Sequence, residues 1–437
     1  MDLNRVVWGA CFGLIFFSAF NGAPFAGFVR SLGVGDFMYG VLMALPVMGG
    51  LFQVLAAYIL ERTGARKKIF LISGVLQRIV VIPMVLLPFI IPPEWKPLMI
   101  GLIMLLLVSS SIGGSFNNVT FYSWMAAIVP MNVRGRFFSQ RQMFFTLTSL
   151  LGGLGIGFLL DLIGGKIGFV IVFAIAAIFG LLDIACFIKA DDPPMDMPEE
   201  KIQLLKVWKE AFSHPNFRRF LIFWSVWIFA ISVCGPFFTD YMLNYLNMKY
   251  LQITLLTGTI FSIFTILSVR MWGSIIDIYG NKPVMTICGL GVVFVPILWL
   301  FTTPEAIVMI PVSQILSGFF WCGTELTANN MMMGLSPDKN RSFYIASFSM
   351  VTALIGSILA YLTGGLLMQL TRGYIVKLNI MLLGYPMNNY HMLFILSALL
   401  RAVAIIFFLP VVKEEKAHSS IVVIQNAIKS IKRKLKY

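Results

Sequence analysis

The chain has 437 residues, of which 59% are hydrophobic and 12% are charged, with a mean hydropathy of +0.88. Water-soluble domains carry about twice that share of charged residues, so this composition excludes a soluble domain. The formal net charge is +14. Such a charge would suit nucleic-acid binding, but the positions of the basic residues explain it as membrane topology, and we expect no nucleic-acid partner.

Apolar runs close to the ~20 residues that cross a bilayer recur along the chain, with short polar loops between them. They predict an all-α integral membrane protein in which residues 6–29 form a retained helix rather than a cleaved signal peptide. We number the predicted transmembrane segments 1 to 12 in chain order: 6–29, 37–60, 68–91, 98–129, 137–163, 167–189, 217–246, 251–277, 283–302, 306–334, 341–369 and 388–411.

Lysine and arginine are distributed unequally between the two sides of these segments. With the N-terminus inside, 25 of the 33 basic residues lie in inner loops, in the termini or at the inner ends of segments, and six lie in outer loops. The other two, Arg78 and Arg401, lie inside segments near their inner ends, where a long side chain can reach the interface. The positive-inside rule then predicts cytoplasmic termini, and we expect a plasma membrane of the prokaryotic inner-membrane type.

An acidic, proline-rich stretch divides the segments six and six. We predict an N-terminal bundle over 1–189, a cytoplasmic linker with an amphipathic part over 190–216, a C-terminal bundle over 217–412 and a basic cytoplasmic tail over 413–437. In the tail, isoleucines at helical spacing are surrounded by lysines. This pattern is typical either of an interfacial helix on an anionic inner leaflet or of a disordered basic tail.

The two halves repeat one another. Segment 2 ends in Ala57-x-x-x-Glu61-x-x-Gly64-x-Arg66, and segment 8 ends in Gly273-x-x-x-Asp277-x-x-Gly280-x-Lys282. Asn21-Gly-Ala-Pro24-Phe25 in segment 1 likewise resembles Cys234-Gly-Pro236-Phe237 in segment 7. Matches in the same order at nearly constant offset indicate an internal duplication, a plan known among secondary transporters.

The second of these phrases is similar to the signature that follows segments 2 and 8 in the major facilitator superfamily, and the resemblance covers essentially the whole chain. The first copy departs from it at Ala57 and Glu61 but keeps the acid, the glycine and the basic cluster. The resemblance implies two pseudo-symmetric six-helix bundles around a central cavity and transport by alternating access.

The resemblance also implies a cytoplasmic gate on the inner face. There Glu61 would face the start of segment 11 near Arg341, and Asp277 would face the start of segment 5 near Arg134, Arg136 and Arg141. A carboxylate beside arginines and a helix N-terminus forms a contact that can be made in one state and broken in another. The predicted gate residues are Glu61, Gly64, Arg66, Arg134, Arg136, Asp277, Gly280, Lys282 and Arg341.

Ionisable side chains deep in a membrane are costly, and they favour a functional role. Glu325 lies well inside segment 10, and we expect it, enclosed among helices, to couple transport to a proton or cation. In the family, segments 1, 4, 7 and 10 line the cavity. The predicted cavity residues on segments 1, 4 and 10 are Asn21, Asn117, Asn118, Tyr122, Trp321, Asn329 and Asn330.

For each of two further acidic residues, the sequence allows two roles. Asp240, near the outer end of segment 7, is either an outer gate residue or a carboxylate at a helix interface. Asp161 ends the glycine-rich run of segment 5 at roughly the position where the family's antiporters have a proline. We therefore favour close helix packing there over an antiport motif.

The sequence has no phosphate-binding loop, no metal-ligand cluster and no catalytic constellation, and its five cysteines all fall in predicted segments. We expect no cofactor, no metal and no enzymatic activity. The partners are then a small-molecule substrate, a coupling proton or cation, and the bilayer, and we expect a monomer. A flippase for an amphiphile and a non-transporting membrane sensor or scaffold remain as alternatives.

Overall fold

The structure, a computed structural model, describes residues 3–20, 22–129, 131–194, 212–336, 341–378, 381–382 and 385–414. Nine α-helices lie in the first half of this described chain. They are α1 Leu3–Phe20, α2 Ala23–Ser31, α3 Asp36–Ala44, α4 Gly49–Thr63, α5 Arg66–Ile79, α6 Val81–Ile90, α7 Lys96–Ile128, α8 Met131–Ile163 and α9 Gly165–Cys186. Short 3₁₀ turns at Leu45–Met48 and Pro93–Trp95 join neighbouring helices.

Nine more helices lie in the second half. They are α10 Pro215–Ser232, α11 Gly235–Asp240, α12 Tyr250–Ile253, α13 Ile260–Tyr279, α14 Asn281–Leu298, α15 Met309–Leu335, α16 Arg341–Val351, α17 Leu359–Leu378 and α18 Asn389–Val403. Single π-helical turns continue several of them, at Tyr241–Tyr245, Thr254–Thr259, Thr352–Ile358 and Ala404–Phe408, and 3₁₀ turns lie at Trp299–Phe301 and Leu409–Val411. Strands β1 Met381–Leu382 and β2 Tyr385–Pro386 form a small antiparallel hairpin.

Among the described residues, eleven helical stretches are long and apolar enough to cross a membrane. They match every predicted segment except segment 10. Segment 10 is α15, which is 27 residues long but is not among those eleven. The all-helical membrane fold is thus confirmed, and the most polar of the predicted segments is the one that carries Glu325.

The internal duplication is visible in where the helices break. Segment 1 is divided before α2, where Pro24 lies in the first turn, and segment 7 is divided before α11, which contains Pro236. Proline has no backbone N–H and does not continue a preceding helix. In the repeated phrase, Gly64 and Gly280 end α4 and α13 with φ of 63° and 91°, a conformation that only glycine adopts without strain.

Backbone proximity divides the chain into two compact units. Unit 1 comprises Met1–Gln203, Gly235–Leu255 and Ser357–Gln369, and unit 2 comprises Leu204–Cys234, Leu256–Gly356 and Leu370–Tyr437. The first six segments therefore share a unit with parts of segments 7, 8 and 11. The division of the chain at a linker over 190–216 stays a prediction.

Each unit has its own aromatic core. In unit 1, Phe70, Trp124 and Phe187 pack together at one end of α5, α7 and α9. In unit 2, Phe217, Phe220, Phe223 and Trp227 form the buried face of α10. Large aromatic side chains bury about 150–250 Å² each, so these clusters fix which face of each helix points inward.

Close helix contacts in unit 1 depend on glycine. A Cβ on Gly40 would lie 2.5 Å from the carbonyl oxygen of Tyr361, and one on Gly365 would lie 2.9 Å from the carbonyl oxygen of Asp36. Segments 2 and 11 therefore meet backbone to backbone. Small residues let helices approach this closely, and Gly365 and Gly40 have that role here.

Candidate functional site

Helix α7 exposes two different faces. Leu105 and Tyr122 are each 62% exposed. At about 100° per residue, the interval from 105 to 122 leaves the two side chains about 100° apart around the helix axis, so they lie on separate faces. Asn118, one turn before Tyr122, is also exposed. The C-terminal half of α7 thus presents a polar, aromatic face in addition to the apolar face of the helix.

Asn117, unlike the exposed Asn118, contacts a neighbouring helix. Its side-chain amide donates a hydrogen bond of 3.1 Å to the carbonyl oxygen of Phe70 on α5. A Cβ on Gly74 would lie 2.7 Å from the same amide nitrogen, so a glycine makes room for it. Asn117 therefore ties α7 to α5, and its predicted part in a substrate cavity stays a prediction. Asn21 lies outside the described residues.

Helix α15 carries the matching polar face in unit 2. Glu325 and Asn329 are exposed one turn apart, and the indole Nε1 of Trp321 donates a hydrogen bond of 2.8 Å to Glu325 Oε1. Asn330 is exposed as well, and its amide donates to Asn281 Oδ1 at 3.1 Å. We expected Glu325 to be enclosed within its bundle, and this is wrong. It lies on the exposed face of α15, because Thr324, Thr327 and Ala328 occupy the face that packs inside the protein.

Arg78 forms a buried ion pair in unit 1. Its guanidinium donates to Asp183 Oδ2 at 2.5 Å and to the carbonyl oxygen of Gly74 at 3.1 Å. Only 2% of Arg78 is exposed, so the expectation that it reaches the membrane interface is wrong. Asp183 approaches segment 1 at Gly13, where a Cβ would lie 2.7 Å from its carboxylate oxygen.

Arg401 is buried in unit 2 without a carboxylate among its described contacts. Its guanidinium donates to the carbonyl oxygen of Val292 at 3.0 Å and contacts the sulfur of Cys234 at 3.9 Å. Its exposure is 3%, so here too the expected reach to the interface is wrong. Arg78 joins segments 3 and 6, and Arg401 joins segments 9 and 12. Segments 9 and 12 are the counterparts of segments 3 and 6 in the second half, so the same helix contact occurs in both halves.

A charged cluster lies at the predicted outer ends of segments 1, 2 and 7. Arg30 donates to both carboxylate oxygens of Asp240, with 2.7 Å between Nε and Oδ1, and to Asp36 at 3.0 Å. Its guanidinium carbon also lies 4.2 Å from the centre of the Tyr39 ring. Asp240 is fully buried and accepts a further bond of 2.6 Å from Asn244. We call Arg30, Asp36, Tyr39, Asp240 and Asn244 the outer cluster.

Asp161 caps a helix rather than lining a passage. Its two carboxylate oxygens accept hydrogen bonds from the backbone N–H groups of Tyr250 at 2.9 Å and Leu251 at 2.8 Å. A carboxylate there satisfies N–H groups that a helix start leaves unpaired. Gly157, one turn earlier, approaches the backbone of Leu251 closely. The predicted packing role of this glycine-rich run is confirmed at that position.

The acid of the first copy of the repeated phrase, Glu61, is half-buried. Glu61 Oε2 is buried and has no hydrogen-bond partner among the described residues. Arg66 donates from Nε to Ser123 Oγ at 3.2 Å. The side chains of Arg134, Arg136 and Arg341 lie outside the described residues, and the predicted gate contacts of Glu61 stay a prediction.

The second copy contacts the end of segment 12. Glu414 Oε1 accepts hydrogen bonds from the backbone N–H of Asn281 at 3.0 Å and from its side chain at 2.8 Å, and Oε2 accepts from the backbone N–H of Lys282 at 2.7 Å. The ammonium of Lys282 donates to the carbonyl oxygens of Pro410 and Val412. Asp277 is exposed, and its gate role stays a prediction.

Replacing Glu414 by glutamine should loosen the chain that leaves segment 12. The change removes the negative charge at the N-terminus of α14 and one of the acceptors, at a cost of about 1–2 kcal/mol. Trypsin cleavage at Lys413, whose N–H donates to Asn216 Oδ1 at 2.9 Å, should become several-fold faster. Glu305→Gln, at an exposed position, is the matched control. Equal cleavage rates in wild type and Glu414→Gln would contradict this role.

A separate cavity of about 220 Å³ lies in unit 1, at the ends of segments that are predicted to face outward. Its walls are mostly apolar, with Lys96 and Lys166 in the lining. It contains none of the predicted cavity residues. The polar faces of α7 and α15, rather than this pocket, are the candidate functional surfaces.

The fold and the repeated phrase can be compared with known proteins. The sequence model described as Major Facilitator Superfamily matches residues 7–269 and 228–434. This chain belongs to the Major Facilitator Superfamily. The resemblance carried by the repeated phrase is thus confirmed, as is the fold that it implied. No curated protein sequence matches the chain significantly.

Solved structures of superfamily transporters resemble the chain over nearly its whole length. They include the inward-open xylose transporter XylE from E. coli, at 16% identity and TM-score 0.69 over 96% of this chain and 98% of that one. The nucleoside transporter NupG matches at 15% identity and TM-score 0.67, over 95% of this chain and 100% of that one. A bacterial homologue of the iron transporter ferroportin matches at 13% identity and TM-score 0.62, over 94% of this chain and 99% of that one. Identities this low show likeness of fold alone.

Proposed function

We propose that this superfamily member is a secondary active transporter that moves a small organic solute by alternating access. The observation that carries the proposal is the polar character of α15, which is long enough to cross a membrane yet absent from the eleven apolar spans. Its exposed face carries Glu325 and Asn329. A helix in lipid is expected to expose apolar side chains, so a polar face favours contact with water and substrate.

The position of α7 supports the same proposal. Asn118 and Tyr122 lie on a face distinct from the apolar one at Leu105. Amides beside aromatic rings can hydrogen-bond and stack against a small organic molecule. Structures of similar fold carry the names of sugar and nucleoside transporters, and we infer a substrate of comparable size.

The outer cluster supports alternating access. It joins segment 1 and segment 2 to segment 7 through Arg30, Asp36 and Asp240. In the two-bundle plan, such a contact closes the outer side and is broken when that side opens. The gate predicted on the inner face would act in the opposite phase of the cycle. Binding energy of the substrate then shifts the population between the two states.

We assign coupling to Glu325. Its carboxylate is accessible on α15 and accepts one hydrogen bond from Trp321. In proteoliposomes, Glu325→Gln should lower solute accumulation driven by an inward proton gradient by at least about tenfold, because glutamine carries no exchangeable charge. Exchange of labelled for unlabelled solute, which needs no net proton movement, should persist.

Glu305→Gln, on an exposed outer loop, controls for the loss of one carboxylate and should transport like wild type. Gradient-driven accumulation by Glu325→Gln equal to wild type would contradict the coupling assignment. It would leave the proposed transport activity standing, because exchange is measured separately.

The test of the proposed function itself is uptake by the reconstituted wild-type protein. Labelled sugars, nucleosides, amino acids and organic acids would be offered to proteoliposomes and to empty liposomes of the same composition. We expect saturable uptake of at least one class. If no class enters faster than into empty liposomes, while the protein is folded and uniformly inserted, the transporter proposal is wrong and a sensor or scaffold role gains support.

We further propose cytoplasmic termini in a prokaryotic inner membrane, a monomeric protein, and two bundles separated at 190–216. The excess of basic residues at the predicted inner side supports the orientation. Reporter fusions at the C-terminus that are active only in the cytoplasm would test it. Activity of a periplasmic reporter at the same position would overturn it.

A further inference from the structure

Arg141 on α8 holds a guanidinium that the described protein does not satisfy. Its carbon atom lies 4.8 Å from the ring centre of Phe121 on α7 and 5.7 Å from that of Phe145 one turn along α8. Its Nε is buried and has no hydrogen-bond partner among the described residues. A guanidinium has five N–H donors in a planar fork. Here aromatic faces cover it, and none of its donors bonds to a described protein acceptor.

The charges around Arg141 do not balance within the described part of unit 1. Asp183 is the carboxylate within electrostatic reach of Arg141, and the same carboxylate is already bonded to Arg78. Two guanidinium groups therefore share one carboxylate. Arg141 is half-buried, and no described carboxylate is left to neutralise its positive charge, so a ligand can supply the missing anion.

Arg141 adjoins the polar face of α7. Tyr122, next to Phe121 in the sequence, is 62% exposed, and Asn118 is exposed one turn away. Phe121, between them in sequence, forms the aromatic wall against which the guanidinium packs. An anionic ligand at this face would meet the fork of Arg141 and an aromatic surface together.

We infer that Arg141 binds the oxyanion of the transported solute, a carboxylate or a phosphate ester, with Asn118 and Tyr122 contacting the rest of the molecule. This assignment rests on the proposed function and names the substrate class that it left open. Planar carboxylates and phosphates pair with arginine through two parallel hydrogen bonds. Lysine cannot reproduce that geometry, so the two residues are not interchangeable here.

The assignment is tested by the binding of charge-matched ligand pairs to purified protein in detergent. The ligands are benzoate with benzamide, glutarate with glutaramide, and glucose 6-phosphate with glucose, each read out by the shift in melting temperature over a concentration series. We expect at least one anion to bind and its neutral partner not to bind. Arg141→Gln should weaken that anion about 10- to 100-fold, and Arg141→Lys should recover only part of the loss.

Two controls separate a ligand contact from a structural role. Arg270→Gln removes an exposed arginine and should leave anion binding unchanged. Arg141→Met keeps an apolar stem against the phenylalanines and removes the uncompensated charge. Without ligand its melting temperature should equal or exceed that of wild type, whereas a fall of several degrees would mean that the protein itself satisfies Arg141 and would contradict the assignment.

The outcomes distinguish this inference from the proposed function. Neutral solutes that bind and enter proteoliposomes equally well with Arg141→Gln would overturn the anion assignment and leave a transporter. Anions that bind through Arg141 but never cross the membrane would support the site and overturn transport. Failure of every anion in the pairs and in the uptake panel to bind or cross would overturn the assignment outright.

Discussion

Replacing Asp183 by asparagine should destabilise unit 1 more than any exposed polar substitution. The change keeps the size of the side chain but leaves Arg78, only 2% exposed, with no anionic partner. Removing one member of a buried pair costs about 3–5 kcal/mol, because the remaining charge stays buried. In detergent, the apparent melting temperature should fall by at least about 5 °C.

A second variant separates this charge effect from simple loss of packing. Removing both partners, as in Arg78→Met with Asp183→Leu, leaves no buried charge in that contact. It should be more stable than Asp183→Asn alone, since apolar replacement of both partners is often neutral or better. A melting temperature for Asp183→Asn within 1 °C of wild type would show that water or another group compensates Arg78.

Replacing Asp240 by asparagine should shift the transporter away from the state in which the outer cluster is formed. Asp240 is fully buried and accepts two hydrogen bonds from Arg30 and one from Asn244. Loss of the charge-assisted pair removes about 1.5–3 kcal/mol, which changes the ratio of two states by about 10- to 150-fold. Transport should slow at least about tenfold because one state then dominates the cycle.

The shift is measurable as chemical access to a buried position beneath the cluster. Phe237 is buried and packs 5.6 Å, centre to centre, from Tyr39. In a Phe237→Cys background, a membrane-impermeant maleimide added outside should react at least about tenfold faster when Asp240→Asn is present. Glu94→Gln, on an exposed outer turn, is the control. No change in labelling rate would contradict the gating role of Asp240.

The sequence predicted the membrane fold because hydropathy and charge bias depend only on local composition. The predicted segments 1 and 7 run unbroken across Pro24 and Pro236, although the helix breaks there, like the left-handed turns at Gly64 and Gly280, follow from the backbone chemistry of single residues. The family followed from the repeated phrase. These features need no knowledge of which helices are neighbours.

Side-chain partners could not be predicted in the same way. Arg78 meets Asp183, which lies 105 residues away, and only the packing of α5 against α9 brings them together. The positive-inside count treated Arg141 as one more inner basic residue, although its guanidinium is packed between phenylalanines. The rule that buried charges are paired is a signal that could have prompted a search for its partner.

The error at Glu325 has a related cause. Depth in the membrane was taken to mean enclosure, but a helix at any depth has a packed face and an open face. On α15 the small residues Thr324 and Thr327 fill the packed face, and Glu325 is therefore on the exposed face. The capping roles of Asp161 and Glu414 were likewise hidden, because each caps a helix distant in sequence.

Counterflow tests the central claim most directly. Proteoliposomes are loaded with a high concentration of unlabelled solute, placed in a trace of the labelled solute without an ion gradient, and sampled over time. An alternating-access carrier binds solute on one side at a time, so labelled solute should accumulate transiently above its external concentration and then decay. Label that only equilibrates, or stays at the level of empty liposomes, for every solute that the protein binds would contradict alternating access.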